Sequence, residues 1–293
     1  MKKRYFSFIA ISLVFLMFLT AAAGCGVRIN GKDYEFFKSS QNDKKNILEG
    51  IGEEITNNQT ISQDKLEGEV LKVSSNAGNI DIEKTNNSKI EIKVDKKVRG
   101  ASSETKKLIL DNLIVSLENS GKENRIAVKT KDGKDFWDWQ QDHYKMYQVT
   151  LNFDIKLPEK IKVINASTGA GNIDVNGVSA ELSLNTGAGN VDVNNTSAYG
   201  VSKLSTGAGN IDFDGNIDKA GSFEASTGVG NVKFEVPEST KMSLDAGTGV
   251  GVLNGSFVKT DDSNKFHFKG DINGGGPSVK LNTGVGNVRA DNK

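Results

Sequence analysis

A nine-residue phrase that returns through the C-terminal half most constrains the fold. It reads Ser167-Thr-Gly-Ala-Gly-Asn-Ile-Asp-Val175 and closes the chain as Asn282-Thr-Gly-Val-Gly-Asn-Val-Arg-Ala290. The first glycines of the six copies stand at positions 169, 187, 207, 228, 249 and 284. A strand-like period of about 20 residues predicts stacked parallel coils, because one coil alone cannot bury its apolar side chains.

Each part of the phrase has a predicted role in such a stack. The alternation after the glycines predicts two inward-facing columns, formed by Ile173, Val191, Ile211 and Val232 and by Val175, Val193, Phe213 and Phe234. The Gly-x-Gly segment predicts a corner where a Cβ would clash. The asparagines predict a ladder that bonds from coil to coil, formed by Asn172, Asn190, Asn210, Asn231 and Asn287. The wide last step, from 249 to 284, leaves room for an inserted hairpin around residues 265–270.

Upstream of the complete copies the chain also reads as strands. Segments 70–74, 89–94, 124–130 and 148–157 alternate apolar and polar residues, and residues 74–82 are a partial copy of the phrase. Residues 102–112 predict one helix, capped by Ser102 or Ser103. The predicted fold class is therefore all-β: a parallel β-solenoid of about 20-residue coils, with one short helix and a strand-rich N-terminal part.

The N-terminus reads as a signal for export. A basic start precedes an uncharged apolar stretch from Phe6 to Ala23, and small residues lead to Cys25, the chain's one cysteine. This segment resembles a bacterial lipoprotein signal, although Ala22 stands where that family usually has Leu. The resemblance implies lipidation of Cys25 and an extracytoplasmic protein anchored to a bacterial cell membrane. An ordinary cleaved signal and an uncleaved membrane anchor remain the alternatives.

Three regions follow from these patterns. Residues 1–24 are the predicted signal peptide, 25–65 a polar tether, and 66–293 the solenoid domain, with repeats concentrated in 166–293. Lys and Arg number 37, as do Asp and Glu, so the chain lacks the basic excess that binds nucleic acid. One cysteine cannot form an internal disulfide.

The repeat also carries a resemblance to a family. The Ser/Thr-Gly-x-Gly-Asn-Ile/Val pattern, preceded by a strand that ends in Leu157-Pro158, resembles the "putative adhesin" domain family of bacterial envelope proteins. The resemblance spans about residue 66 to the end. It implies the solenoid fold and an adhesin-like surface role, and it offers no established catalytic residue.

An outward-facing column of the solenoid is the first candidate surface. It contains Asp174, Asp192 and Asp212 and continues with Lys233, Asn254 and Arg289. Neighbouring carboxylates repel one another unless they are screened, paired or bridged by a cation. The column therefore reads either as a strip that contacts Ca²⁺ or polysaccharide, or as a solvated face screened by nearby lysines. The second interpretation is favoured, so no metal site is assigned.

An aromatic segment is the second candidate surface. Residues 136–147 contain Trp137, Trp139, Tyr144 and Tyr147 and are predicted to form a hairpin or loop between strands. Exposed aromatic rings suit glycan stacking, protein contact or a membrane interface. The same rings can instead cover the solenoid core, and this packing role is favoured.

The sequence predicts no enzyme. His143 and His267 lack partners at metal-ligand spacing, no catalytic or cofactor residue is assigned, and no cofactor is expected. The predicted function is a membrane-anchored lipoprotein that presents a binding or structural surface to cell-wall glycan or another envelope or surface protein. The alternatives are a carbohydrate-active enzyme on the same scaffold and an envelope-stress sensor or regulator.

Overall fold

The computed structural model describes residues 27–29, 32–34, 53–64, 66–259 and 265–293. The chain divides into two compact units, Met1–Glu49 and Gly50–Lys293. In the first unit, strands β1 (Val27–Ile29) and β2 (Lys32–Tyr34) pair antiparallel. Cys25 and the predicted signal peptide lie outside the described residues.

The described part of the second unit is built from strands with two short helices, which confirms the all-β prediction. Its eighteen strands belong to one hydrogen-bonded sheet of mostly parallel pairs. The strands are β3 (Glu54–Gln63), β4 (Val70–Ala77), β5 (Ile80–Thr85), β6 (Ile90–Arg99), β7 (Ile114–Ser120), β8 (Glu123–Lys129), β9 (Gln148–Pro158), β10 (Val163–Ala170), β11 (Ile173–Asn176), β12 (Ser179–Ala188), β13 (Val191–Ala208), β14 (Ile211–Val229), β15 (Val232–Val236), β16 (Met242–Val250), β17 (Leu253–Asn254), β18 (His267–Ile272), β19 (Ser278–Val285) and β20 (Val288–Asn292). The helices are α1 (Ser103–Asn112) and α2 (Phe136–Tyr144).

The N-terminal limit of this sheet differs from the sequence-based boundary at residue 66. Strand β3 lies inside the range 25–65 that the sequence assigns to a polar tether, and it pairs antiparallel with β6 along its whole length. Its polar composition conceals the strand, because only Ile55 and Ile61 supply apolar side chains. Ile61 packs on the core.

The sheet contains two parallel columns of strands, one on each side of the Gly-x-Gly segments. Column A holds the strands that precede those segments, in the spatial order β8, β4, β10, β12, β13, β14, β19 and β16. Column B holds the strands that follow them, in the order β9, β5, β11, β13, β14, β15, β20 and β17. Strands β13 and β14 contribute to both columns because each runs from one copy of the repeat into the next.

The predicted core positions are confirmed. Ile173, Val191 and Ile211 are each 0% exposed and lie side by side in column B. In the neighbouring row the rings of Phe213 and Phe234 stack with their centroids 5.5 Å apart. Copies of the repeat therefore bury their apolar residues against one another, as the alternation of the phrase predicts.

The two glycines of the corner segment serve different purposes. Gly189, a second glycine, has φ of +146°, and a Cβ there would lie 2.0 Å from the carbonyl oxygen of Gly171. Gly187, a first glycine, has no positive φ, but its Cβ would lie 2.5 Å from the carbonyl oxygen of Gly169. The second glycine thus meets both a backbone requirement and a close approach, whereas the first meets the close approach alone.

Side chains of the repeat also hydrogen-bond from copy to copy. The Asn190 N–H donates to Asn172 Oδ1 at 2.9 Å, and the same bond recurs from Asn79 to Asn287, so the asparagine ladder is confirmed. A buried threonine ladder, which the sequence analysis missed, runs beside it. Thr186 Oγ1, for example, donates to the carbonyl oxygen of Gly171 at 2.8 Å. The signal for it was the Thr that precedes the first glycine in nearly every copy.

The last copy of the repeat does not follow the fifth in space. Strand β19 pairs with β14 on one side and β16 on the other, so residues 278–292 lie between the fourth and fifth copies. The fifth copy has Val252 where the others have the ladder asparagine. Because Val252 can only donate its N–H to Asn287 Oδ1, the fifth copy ends the ladder. The predicted inserted hairpin contributes β18, which pairs antiparallel with β16.

Helix α1 forms where the sequence predicts it. Ser102 Oγ accepts the N–H of Thr105 at 3.2 Å and caps the first turn. Ile109 and Lys106 are buried, and Lys106 Nζ donates to the carbonyl oxygen of Glu53 at 2.8 Å. This bond ties α1 to the beginning of β3.

Candidate binding cleft

A cleft opens where strand β8 leaves strand β4. The two strands pair in parallel only from Val70↔Glu123 to Lys72↔Arg125. Beyond that point β8 continues its antiparallel pairing with β7 as far as Ile114↔Lys129, while β4 continues beside β10. The divergence leaves a cleft of about 830 Å³ between the strands.

The floor of the cleft is a polar row on column A. Ser74, Ser167 and Asn185 occupy neighbouring positions on β4, β10 and β12. Ser167 Oγ donates to Ser74 Oγ at 3.0 Å. The strand alternation places these side chains outward, because the residues on either side of each one are buried. The cleft therefore presents hydroxyl and amide groups above an apolar layer.

Trp137 forms one wall of the cleft. Its position follows from the start of α2, where Asp135 Oδ1 accepts the N–H groups of Trp137 at 2.8 Å and Asp138 at 3.0 Å. The Trp137 ring meets the fully buried Phe136 edge-on, with centroids 5.4 Å apart. The indole is thus held by the helix cap below it and by packing at its side, and it remains partly exposed.

The charged groups around the cleft are paired. Lys72 Nζ lies 2.5 Å from Glu123 Oε2, and Lys129 Nζ lies 2.5 Å from Glu118 Oε1. Arg125 Nε lies 3.8 Å from Glu123 Oε1. Each cation that lines the cleft therefore has a carboxylate beside it, so the lining carries little net charge.

The aromatic segment is a helix, which corrects the prediction of a hairpin or loop for residues 136–147. Asp135 caps α2, and Phe136 and Gln140 lie one turn apart on its buried side. Gln140 Nε2 donates to the carbonyl oxygens of Tyr144 and Tyr147, which satisfies the end of the helix. Gly133 and the aromatic composition obscured a helix that is only nine residues long.

The four predicted aromatic contact residues do not all line the same cleft. Trp137 alone among them lines the cleft. Trp139 and Tyr144 pack on each other with centroids 5.1 Å apart. Tyr147 packs against Gly100, and its hydroxyl accepts the N–H of Ser102 at 3.2 Å. All four are partly buried against the core.

The predicted carboxylates form a continuous row on column B. Asp174, Asp192 and Asp212 stand on neighbouring strands, and the row extends through Asp81 to Asp154. The two added residues were missed by the sequence analysis. Asp81 belongs to the partial copy at 74–82, and Asp154 follows Asn152 and Phe153 in the same Asn-apolar-Asp order as the repeat. The row lies away from the cleft, which is lined from column A and α2.

Partial burial and neighbouring carboxylates raise the pKa of two residues in this row. Partial burial, a hydrogen bond with Asp81 and the charge of Asp192 raise the pKa of Asp174 to about 7. Partial burial and the charge of Asp212 raise the pKa of Asp192. Lys233 continues the row, and its nearest ion-pair partner is Glu235 at 2.9 Å. Within the described residues, no three His, Cys, Asp or Glu side chains are arranged to hold a metal ion.

No helix in the described ranges has the length and apolar character needed to span a membrane.

Comparisons with known proteins do not place this chain in a family. No family model matches the chain, and no curated protein matches it. Among solved structures, a "putative cell adhesion protein" from Clostridium sporogenes is 18% identical with a TM-score of 0.42, covering 82% of this chain and 100% of that one. A "putative adhesin" from Bacteroides fragilis is 14% identical with a TM-score of 0.37, covering 81% and 97%. Similarity at this level assigns no function to the chain.

Proposed function

We propose that this chain is an extracytoplasmic lipoprotein that is anchored through Cys25 and uses a non-catalytic β-solenoid as a binding surface at the bacterial cell envelope. The observation that carries the binding role is the cleft between β4 and β8, which Trp137 lines together with a row of hydroxyl and amide groups. Convergent polar groups beside an aromatic wall are typical of ligand sites. The N-terminal sequence pattern supports the anchor and the location.

The solenoid itself is the second part of the proposal. Copies of the repeat pair in register through both strand columns, and their asparagine and threonine ladders repeat the same bonds. In such a stack neighbouring copies stabilise one another. A scaffold of this kind suits the adhesin-like role that the repeat resembles, because it holds a binding site at a fixed place on the stack.

Capture from envelope extract tests the binding role. The full chain, immobilised in detergent, is exposed to solubilised envelope material, and the retained polymers and proteins are compared with those retained by Trp137→Ala. We expect at least one component to depend on Trp137. Met146→Ala is the matched control, since Met146 is 83% exposed and is not part of the cleft lining. Identical retention by all three proteins would refute a binding role for the cleft.

A carbohydrate-active enzyme remains a second candidate because of one observation. Asp174, whose pKa is raised to about 7, stands beside the carboxylates of Asp81 and Asp192, and a carboxyl group with a raised pKa beside another carboxylate is an arrangement used for general acid and base catalysis. Incubation of the protein with envelope glycans tests this alternative. Release of reducing ends that is lost in Asp174→Asn would favour the enzyme over the binding protein.

A further inference from the structure

The polar floor of the cleft continues as a track along column A from β4 to β19. The residues that follow Ser74, Ser167 and Asn185 in register are Ser205, Ser226 and Asn282. Each lies on the next strand, so the groups recur about every 4.8 Å. Ser205 Oγ donates to Asn185 Oδ1 at 2.8 Å, which links the cleft to the half-buried part of the track beyond it. The track is thus one row of small polar side chains that begins in the cleft lined by Trp137 and continues beyond it from strand to strand.

The chemistry of this row matches the hydroxyl groups of a sugar. Serine hydroxyls and asparagine amides both donate and accept hydrogen bonds, as sugar hydroxyls do. The indole of Trp137 offers an apolar face of the kind on which a pyranose ring stacks. The spacing between polar groups on neighbouring strands, about 4.8 Å, is comparable to the length of one pyranose unit. A chain of linked sugars can therefore meet the row repeatedly in a way that a compact ligand cannot.

The paired charges define the ligand further. Lys72, Arg125 and Lys129 are the cations of the lining, and each lies beside Glu118 or Glu123. These pairs are exposed and individually weak. Asp135 also lines the cleft, however, so three carboxylates balance the three cations and no net positive charge attracts an anionic polymer. The lining therefore favours a neutral ligand over a phosphate-bearing or uronate-bearing one.

From these observations we infer that the cleft and its track bind a neutral glycan chain, with one sugar ring stacked on Trp137 and the following units along Ser74, Ser167 and Asn185. This inference rests on the proposed binding function and names its ligand class. Trp137 contacts the sugar directly, while Asp135 acts as a positioning residue through the helix cap.

Titration with defined tetrasaccharides tests the inference. The full chain is purified in a detergent without a sugar headgroup and titrated calorimetrically with N-acetylglucosamine tetramer, cellotetraose, maltotetraose and the anionic tetragalacturonate. We expect at least one neutral tetrasaccharide to bind more tightly than tetragalacturonate. Trp137→Ala should weaken that binding roughly tenfold, whereas Trp137→Phe, which keeps an aromatic face, should retain most of it.

Matched variants separate the cleft from the rest of the surface. Asn185→Ala should weaken binding, whereas Met146→Ala just after α2 and Asp192→Asn on column B should leave it unchanged. Thermal unfolding of each variant checks that the fold is intact. The inference is overturned by failure of all three neutral tetrasaccharides at millimolar concentration, by preference for tetragalacturonate, or by indifference to Trp137. If the envelope capture still depends on Trp137 after such a failure, the binding function stands and its ligand is a protein or a charged polymer.

Discussion

Replacing Gly189 with alanine tests how the corner of the repeat is built. A new Cβ there would lie 2.0 Å from the carbonyl oxygen of Gly171, at a φ of +146° that residues with side chains rarely adopt. The backbone strain is worth about 1–3 kcal/mol. The overlap adds about 1–3 kcal/mol, because the neighbouring copy has to move. Together they lower the free energy of unfolding by about 2–6 kcal/mol.

Two further variants separate the two contributions. Gly187→Ala introduces an overlap at 2.5 Å without a positive φ, and we expect it to cost about 1–3 kcal/mol. Gly121→Ala introduces a residue at φ of +61° with no atom within 4 Å of its Cβ, and we expect about 1 kcal/mol. Gly189→Ala should therefore be the most destabilising of the three.

Urea and thermal unfolding, followed by circular dichroism, measure these differences. For a domain of this size each 1 kcal/mol lowers the melting temperature by about 2–4 °C. Gly189→Ala should then lower it by roughly 5–20 °C and Gly121→Ala by only a few degrees. If Gly189→Ala is no more destabilising than Gly121→Ala, the close approach of successive copies at the corner is refuted.

Three more predictions address the anchor, the carboxylate row and the order of the copies. Cys25→Ser should release the protein from the membrane fraction, and mass spectrometry of the wild type should find acyl groups on Cys25; an unmodified N-terminus elsewhere would contradict the anchor. The pKa of Asp174 is about 7 in the native state and roughly 4 in the unfolded state, so unfolding releases a proton between pH 4 and pH 7. The melting temperature should therefore fall as the pH rises from 4 to 7. Asp174→Asn should flatten that fall and raise the melting temperature at pH 8, whereas Asp138→Asn, on α2 away from the row, should not. Paired cysteines at Val229 and Val285 should form a disulfide on oxidation, whereas cysteines at Val229 and Val250, two strands apart, should not; the reverse result would restore the copies to chain order.

The copy-to-copy pairing could be predicted because the repeat specifies it redundantly. In each copy the core residue, such as Ile173, Val191 or Ile211, stands at the same distance in sequence from the glycines and the asparagine. A shift of the strand pairing by one residue would therefore expose the core and break the asparagine and threonine ladders at once. Each local preference agrees with the same register. That agreement is why the core columns and the asparagine ladder were readable without a structure.

The cleft could not be predicted because it depends on where a pairing stops. Residues 123–125, which pair with β4, are polar, and residues 126–128 are a buried apolar run. Such a change indicates a strand that enters the core, but it does not indicate where the pairing with a distant strand ends. The position of Trp137 depends in turn on the Asp135 cap, which the sequence places in a run of loop-forming residues. The end of the β4–β8 pairing arises from contacts between distant segments, which a local sequence pattern does not contain.

The asparagine ladder ends at the one copy of the repeat that lacks the asparagine. Every internal copy both accepts and donates through its asparagine, so any such copy can be continued by another. Val252 removes the acceptor from the fifth copy, which makes that copy a terminator wherever it lies in the chain. The last copy keeps Asn287, and it satisfies both Asn231 and Val252 only by lying between the fourth and fifth copies. Strand β18 then covers the open edge of β16, which an exposed parallel stack would otherwise offer to another chain. The spatial order of the copies is thus determined by one substitution in the ladder rather than by the order of the repeats in the sequence.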